Sequence, residues 1–301
     1  MKPDVTVITG PTATGKTAVA VAFALEYGGE IVNADAMAVY RGMDIGTAKP
    51  GAGERRGVPH HLLDVAEAGA EYTVAEYVKA ASAAIEDILS RGKRPVIVGG
   101  TLFYIESLLK NREFAEGSEK IRAELEAYST ERLISELQAV DPISADKLSD
   151  RRRIVRALEV FRVNGRTISD FNNADKLRPN VYSADVFILN YAKREILYNA
   201  IDKRVSSMVE LGLLDEAREL YGRGVRTAAI GYKELFDYFE GLSSFNEAIE
   251  IVRRKSRNYA KRQLTWLRHS PLAGSAELIE WVEKPDVQQF MERVYGKRVS
   301  V

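Results

Sequence analysis

The run Gly10-Pro11-Thr12-Ala13-Thr14-Gly15-Lys16-Thr17 constrains the fold of this chain more than any other feature. It satisfies the spacing G-x-x-x-x-G-K-[ST] at every fixed position. It also stands between a short β-branched run, Asp4–Thr9, and an alanine-rich helical stretch from about Lys16 to Tyr27. The glycines let the backbone curl so that successive amides converge on one anion, with a helix N-terminus behind them. Lys16 adds a mobile positive charge, and the Thr17 hydroxyl can ligate magnesium. A chance match in a chain of this length has a probability of about one in a hundred, given glycine at ~7% of positions. A plain glycine-rich turn is therefore the weaker reading. The loop predicts a site for a di- or triphosphate.

Strand and helix signals alternate beyond it. Glu30–Asn33 reads as a second strand ending at Ala34-Asp35, and residues 41–60 read as a long Gly/Pro loop. Thr73, with Glu76 at capping-box spacing, opens a helix to about Arg91, and Val96–Val98 closed by Gly99-Gly100 is a third strand. Three strand-then-helix units imply an α/β fold with a parallel sheet covered by helices. Strand signals vanish from about Glu113 to Asp185 and return at Asp185–Tyr191, after which the pattern is helical to about Arg268. The economical organisation is a core of residues 1–112 and 186–301, interrupted by a helical insertion at 113–185.

Composition excludes whole classes of chemistry. The 301 residues include no cysteine, so disulfides, thiol catalysis and cysteine-held metals are ruled out, and three histidines leave little for a histidine metal centre. No run reaches the ~18 apolar residues of a membrane span, and the apolar run near the N-terminus is too short for a signal peptide. A cytoplasmic protein without a membrane partner is expected. Lys plus Arg is 43 and Asp plus Glu is 43, so net charge says nothing about an anionic partner. The distribution says more. Glutamates 113, 116, 119, 124 and 126 form an acidic stretch, followed by a basic block from Lys147 to Arg166 and another from Arg253 to Arg268. Neither basic block carries the acids that would make i,i+4 pairs within it, which suggests a defined anionic surface partner.

Asp35 ends the second strand, where a parallel sheet presents its ligands. A carboxylate there can hold magnesium through water or accept a proton from a nucleophile, and it can also simply cap the next segment. An ordinary nucleoside triphosphatase places a magnesium-positioning acid after an apolar strand. Here Val96-Ile97-Val98 ends in Gly99-Gly100-Thr101 instead. His60 and His61 read as loop-structural or phosphate-proximal, with no third ligand at metal spacing. Trp266 reads as core sooner than as a stacking surface.

Taken together, GPTATGKT (10–17), NADAMAVYRGMDIGTAKP (33–50), PHHLLD (59–64), VGGT (98–101), DRRRIVRALEV (150–160), AIGYKEL (229–235) and AKRQLTWLR (260–268) resemble the bacterial tRNA dimethylallyltransferase family. The match runs in order over nearly the whole chain, and YRGMDIGTAKP and KRQLTWLR have no generic fold reason to occur together. The resemblance implies a P-loop, nucleotide-kinase-like core with a helical insertion contacting RNA. It implies transfer of a dimethylallyl group from dimethylallyl diphosphate to the exocyclic amine of the adenine just 3′ of the anticodon. On it, Gly10, Thr12, Ala13, Thr14, Gly15, Lys16 and Thr17 hold the donor diphosphate, with Mg2+ at Thr17. Asp35, Thr101 and Lys16 are the expected catalytic residues. The tRNA anticodon stem-loop is expected at Asp35, Ala36, Met37, Ala38, Thr101, Arg122, the segment Arg152, Arg153, Ile154, Val155, Arg156, and the segment Ala228, Ala229, Ile230, Gly231, Tyr232, Lys233. The family commonly has serine where this chain has Ala36.

The chemistry reads the same way from the residues. A departing pyrophosphate needs positive charge, allylic cation character needs a dry pocket, and an aromatic amine needs a proton acceptor. Two rivals share these features: a small-molecule P-loop kinase, and a prenyltransferase of free adenine nucleotides. Neither needs the basic insertion. Nothing in the sequence calls for more than a monomer.

Overall fold

β1 (Val5–Thr9) is buried along its whole length, as a strand covered on both faces requires. The computed structural model describes residues 4–299 of the chain. β1 feeds the phosphate loop and α1 (Lys16–Tyr27), which stops at Gly28 in the left-handed conformation, φ 64°. β2 (Gly29–Asn33) leads into the Gly/Pro segment, which holds one helical turn, Ala52–Arg55, and ends in the two-residue β3 (His60–His61). Thr73 caps α2 (Val74–Ser90) through a capping box with Glu76, as the spacing predicts. β4 (Arg94–Gly99) and α3 (Leu102–Lys110) form the third unit.

Lys110–Val181 is a compact unit of its own, starting and ending a few residues before the predicted 113–185. It contains α4 (Glu119–Glu126), α5 (Thr130–Val140), α6 (Arg151–Asn164) and α7 (Ile168–Leu177). Leu125, Leu133, Leu137, Ile154, Val155 and Leu158 make its core. Here the sequence reading of charge needs correction. The acidic and basic runs, separate along the chain, meet in space: Arg162 bridges Glu124 and Glu136, and Arg166 pairs with Glu113. Arg151 donates to the Thr130 hydroxyl and to the Glu126 and Tyr128 carbonyls. A search for partners along one helix missed acids that neighbouring helices supply. Arg152 and Arg153 stay exposed, with no ion pair among the described residues.

The chain returns to the core through β5 (Ala184–Tyr191), α8 (Arg194–Glu210), α9 (Leu213–Gly222), α10 (Tyr232–Phe239) and the long α11 (Phe245–His269). β6 (Glu277–Trp281) and α12 (Val287–Val299) follow, and the sequence reading anticipated neither. All six strands are parallel, in the order β3-β2-β4-β1-β5-β6. Thr9 lies opposite Gly99, and Asn33 opposite Val98. The segments following β1, β2 and β4 therefore leave the sheet at one edge, around a crevice where α/β sheets hold ligands. No described helix is long and apolar enough to cross a membrane.

Candidate active site

The phosphate loop is bent by three left-handed residues: Gly10 (φ 145°), Ala13 (φ 67°) and Gly15 (φ 76°). A Cβ on Gly10 would meet the Leu189 carbonyl oxygen at 2.1 Å, so only glycine fits beside β5. The loop's carbonyls are anchored from behind, Ala13 by the Tyr191 hydroxyl at 3.2 Å and Thr14 by the Trp281 indole at 3.0 Å. Gly15, the N-cap of α1, offers no side-chain cap, so the first N–H groups of the helix stay available to an anion.

The loop forms one wall of a cavity of about 790 Å³ whose lining comes entirely from core residues. Lys16 enters it, with its ammonium on the Pro11 carbonyl at 2.8 Å. Burial, reinforced by the Arg204 cation and opposed by Asp35, brings the Lys16 pKa down to about 7. Arg204 lines the same space and donates to the Thr47 carbonyl at 3.2 Å, with no carboxylate in ion-pair range among the described residues. Its own pKa is lowered by burial, against the pull of Asp35. The cavity thus holds two cations outside any ion pair among the described residues, with the carboxylates of Asp35 and Glu54 also in its lining. Sequence reasoning missed Arg204. The readable signal was a cation beside the apolar stripe Ile201, Val205 and Met208 of α8, where a solvated helix places none.

Opposite the loop stands Asp35. One carboxylate oxygen accepts the Met37 amide at 2.8 Å and the Ala38 amide at 3.4 Å, while Oδ2 has no partner among the described residues. The capping role read from the sequence is thus present in one oxygen, while the other stays unpartnered in a residue that lines the cavity. Thr101 orients this wall, its hydroxyl accepting the Ala36 amide at 3.0 Å and its own amide donating to Ala34 at 3.1 Å. The Tyr259 hydroxyl joins Thr101, and burial pushes that phenol up to about 12. A Cβ on Gly99 would meet the Ala34 carbonyl at 2.1 Å. No acidic side chain can therefore stand at the end of β4.

Other expected residues are placed differently. The Thr12 amide is committed to Gln263 Oε1 at 2.9 Å, and the Thr14 hydroxyl to the Pro11 carbonyl at 2.8 Å. Both residues still line the cavity, together with Thr17. Ala38 is buried; its amide donates to Asp35 and the residue lines the cavity. Ile154 and Val155 are core residues of the insertion and cannot be its RNA-facing side chains. Arg122 and Arg156 both engage the buried Glu159. In the second expected RNA segment, Ala229, Gly231 and Tyr232 are buried while Ala228 and Lys233 are exposed. The Tyr232 hydroxyl donates to Glu216, whose carboxylate also accepts the amides of Asp44, Ile45 and Gly46.

That carboxylate and Lys49 explain why the Gly/Pro segment is ordered. Lys49, 2% exposed at its side chain, binds the Tyr40 carbonyl, Asp44 and Asp64. His60 lines the cavity; its Nδ1 donates to the Val58 carbonyl at 2.8 Å, leaving Nε2 as an unpartnered acceptor among the described residues. Burial lowers its pKa and keeps it neutral. His61 instead binds Glu30 at 2.8 Å.

Fold and cavity together define a class: P-loop proteins of the nucleotide-kinase-like type, with a carboxylate rather than a second magnesium-holding acid opposite the phosphate loop. The comparisons narrow this. The family description IPP transferase matches residues 38–270. A Geobacillus kaustophilus protein called tRNA dimethylallyltransferase is 43% identical over 98% of this chain and 95% of its own length. One from Pelotomaculum thermopropionicum, with the same name, is 44% identical over 89% and 88%. The solved tRNA isopentenylpyrophosphate transferase of Bacillus halodurans superposes with a TM-score of 0.73 at 36% identity, covering 99% of this chain and 96% of that one. A eukaryotic dimethylallyltransferase solved acting on tRNA gives 0.84 at 29% identity, covering 98% and 77%. The chain belongs to the IPP transferase family, among the bacterial tRNA dimethylallyltransferases.

Proposed function

We propose that this protein transfers the dimethylallyl group of dimethylallyl diphosphate to the exocyclic amine of the adenine 3′-adjacent to the anticodon of tRNA. The observation that carries the reading is the single cavity in which Lys16 and Arg204 face Asp35. The cations take the diphosphate as a leaving group, and Asp35 Oδ2 takes the amine proton. As the carbon–oxygen bond breaks, pyrophosphate departs with its electron pair. The adenine nitrogen forms the new bond to that carbon and gives up one proton. Loop amides, Lys16 and Arg204 stabilise the charge that develops on the leaving oxygens.

The donor set fits Mg2+ bound mainly through substrate and water. Thr17 and Asp35 line the cavity, and the described residues hold no cluster of three or more metal-binding side chains. Bound there, the ion would neutralise part of the diphosphate charge. Turning an adenine out of its loop costs a few kcal/mol of unstacking, which cationic contacts to the RNA backbone offset. Arg152 and Arg153 are the candidates on the insertion. The enzyme works as a monomer in the cytoplasm, where its RNA substrate is found.

A kinase reading lacks its acid, because the end of β4 is closed to any side chain. The test supplies labelled dimethylallyl diphosphate with an anticodon stem-loop, AMP or ATP in parallel. Label on the stem-loop alone is the expected result. Label on AMP, or phosphoryl transfer from ATP, overturns the reading.

A further inference from the structure

Trp266 contradicts the expectation that it belongs to the core. It is 44% exposed and is the one aromatic among the large apolar side chains that the described residues expose. The chain's other tryptophan, Trp281, is fully buried. An exposed indole usually rotates freely, but this one is held. Its N–H donates to Glu106 at 2.9 Å, Glu106 is itself held by the Ser270 hydroxyl at 2.5 Å, and the Phe103 ring meets it edge-on at 6.1 Å. Holding the edge of the ring fixes the direction in which its face looks.

Its surroundings divide the second basic block. In the first half of α11, Arg253, Lys255 and Arg257 are paired with Glu250, Glu234 and Asp202, and Arg254 alone is exposed without an ion pair among the described residues. In the second half, Lys261, Arg262 and Arg268 are exposed and have no ion pair among the described residues. These cations flank Trp266 along the helix, and Arg262 shares its face. Arg262 lines the cavity and lies one helical turn from Trp266 on the same face, and Phe103 follows the cavity residue Thr101 by two positions. A fixed aromatic face with an unpaired, cavity-lining arginine one turn away has the chemistry of a single-strand nucleic-acid surface.

We propose that Trp266 is a stacking site for an unpaired base of the RNA substrate, adjacent to the base that enters the cavity. Arg262 takes a flanking phosphate. The inference rests on the function proposed above and adds a subsite to it. Stacking on Trp266 replaces part of the stacking lost when the reacting base turns out.

The test is a double-mutant cycle. Affinity for an anticodon stem-loop is measured for the wild type, Trp266→Ala and Trp266→Phe, against RNAs with one loop base removed at a time. Trp266→Ala is expected to weaken binding about tenfold with an unchanged slope of log affinity against log salt, since no counterion is involved. Trp266→Phe recovers most of that loss. One abasic position loses affinity in the wild type and loses none further in Trp266→Ala. The stem-loop quenches wild-type fluorescence and leaves Trp266→Phe, which retains only the buried Trp281, nearly unquenched. If the wild type transfers the prenyl group but every abasic position is additive with Trp266→Ala, the stacking site is wrong and the function stands. If the wild type transfers nothing, the underlying reading falls, and this one with it.

Discussion

Gln263 accepts the Thr12 amide at 2.9 Å with its side-chain oxygen and donates to the Gly100 carbonyl at 2.9 Å with its nitrogen. One buried amide on α11 thus ties the phosphate loop to the strand end that carries Thr101 and, through it, Asp35. A Cβ on Gly100 would stand 2.3 Å from the Gln263 nitrogen, so the glycine there makes room for this bridge. Gln263→Met keeps the volume and removes both bonds. Unfolding free energy is expected to fall by about 2–4 kcal/mol, the cost of stranding two enclosed polar groups. kcat should fall more than tenfold with a smaller change in donor KM, because what is lost is alignment of two walls. Denaturant unfolding and steady-state kinetics on one variant give both numbers. A stability loss with unchanged kcat would leave Gln263 a purely structural residue.

Asp35 offers a cleaner separation of folding from chemistry. Asparagine keeps an oxygen for the Met37 and Ala38 amides but cannot take a proton. Asp35→Asn should unfold within about 0.5 kcal/mol of the wild type, with turnover reduced roughly 10²–10⁴-fold. Asp35→Ala should lose turnover and also about 1 kcal/mol of stability with the cap. Equal turnover in Asp35→Asn and the wild type would remove Asp35 as proton acceptor.

Lys16 makes anion binding sensitive to pH. With a pKa of about 7, it is mostly charged at pH 6 and mostly neutral at pH 8. A bound anion favours the charged form, so pyrophosphate binding at pH 8 should take up close to one proton through this residue, and little at pH 6. Calorimetry in buffers of different ionisation heat reads this directly, with Lys16→Met as the blank. The folding linkage has a definite sign as well. Between about pH 7 and 10.5 the unfolded chain holds a proton here that the folded chain lacks, so stability from this group rises with pH across that window. Identical proton uptake in Lys16→Met would refute the assignment.

How much of this could be read from the chain alone varies with the range of the interaction. The phosphate loop, the α2 cap and the first three βα units rest on contacts a few residues apart, and the sequence carries them in full. The Thr12–Gln263 bridge spans 251 residues and the Trp281–Thr14 anchor 267, so neither leaves a local pattern. β6 was missed because its exposure alternates at a sheet edge, and five residues of ELIEW show too little period to stand out. The expected RNA segments show a related limit. A motif names a stretch, whereas helical geometry turns Ile154 and Val155 inward while leaving Arg152 and Arg153 outside.

That last distinction yields a paired prediction on the insertion. Arg152 and Arg153 are exposed without ion pairs among the described residues, whereas Arg162 bridges Glu124 and Glu136 and stands near the Tyr128 ring. Reversing Arg152 and Arg153 to Glu removes nothing that holds the fold, so thermal unfolding should be unchanged. If each neutralises one RNA phosphate, stem-loop affinity drops and the salt slope flattens by about 1.4 for the pair. Arg162→Glu does the opposite: it puts a carboxylate between two others, so the insertion unfolds at lower denaturant, while at full folding the salt slope stays at the wild-type value. Measuring affinity at four salt concentrations and unfolding by circular dichroism separates the two. An unchanged slope for Arg152→Glu/Arg153→Glu would show that free charge on this helix is not an RNA grip, and the cations would then need another role.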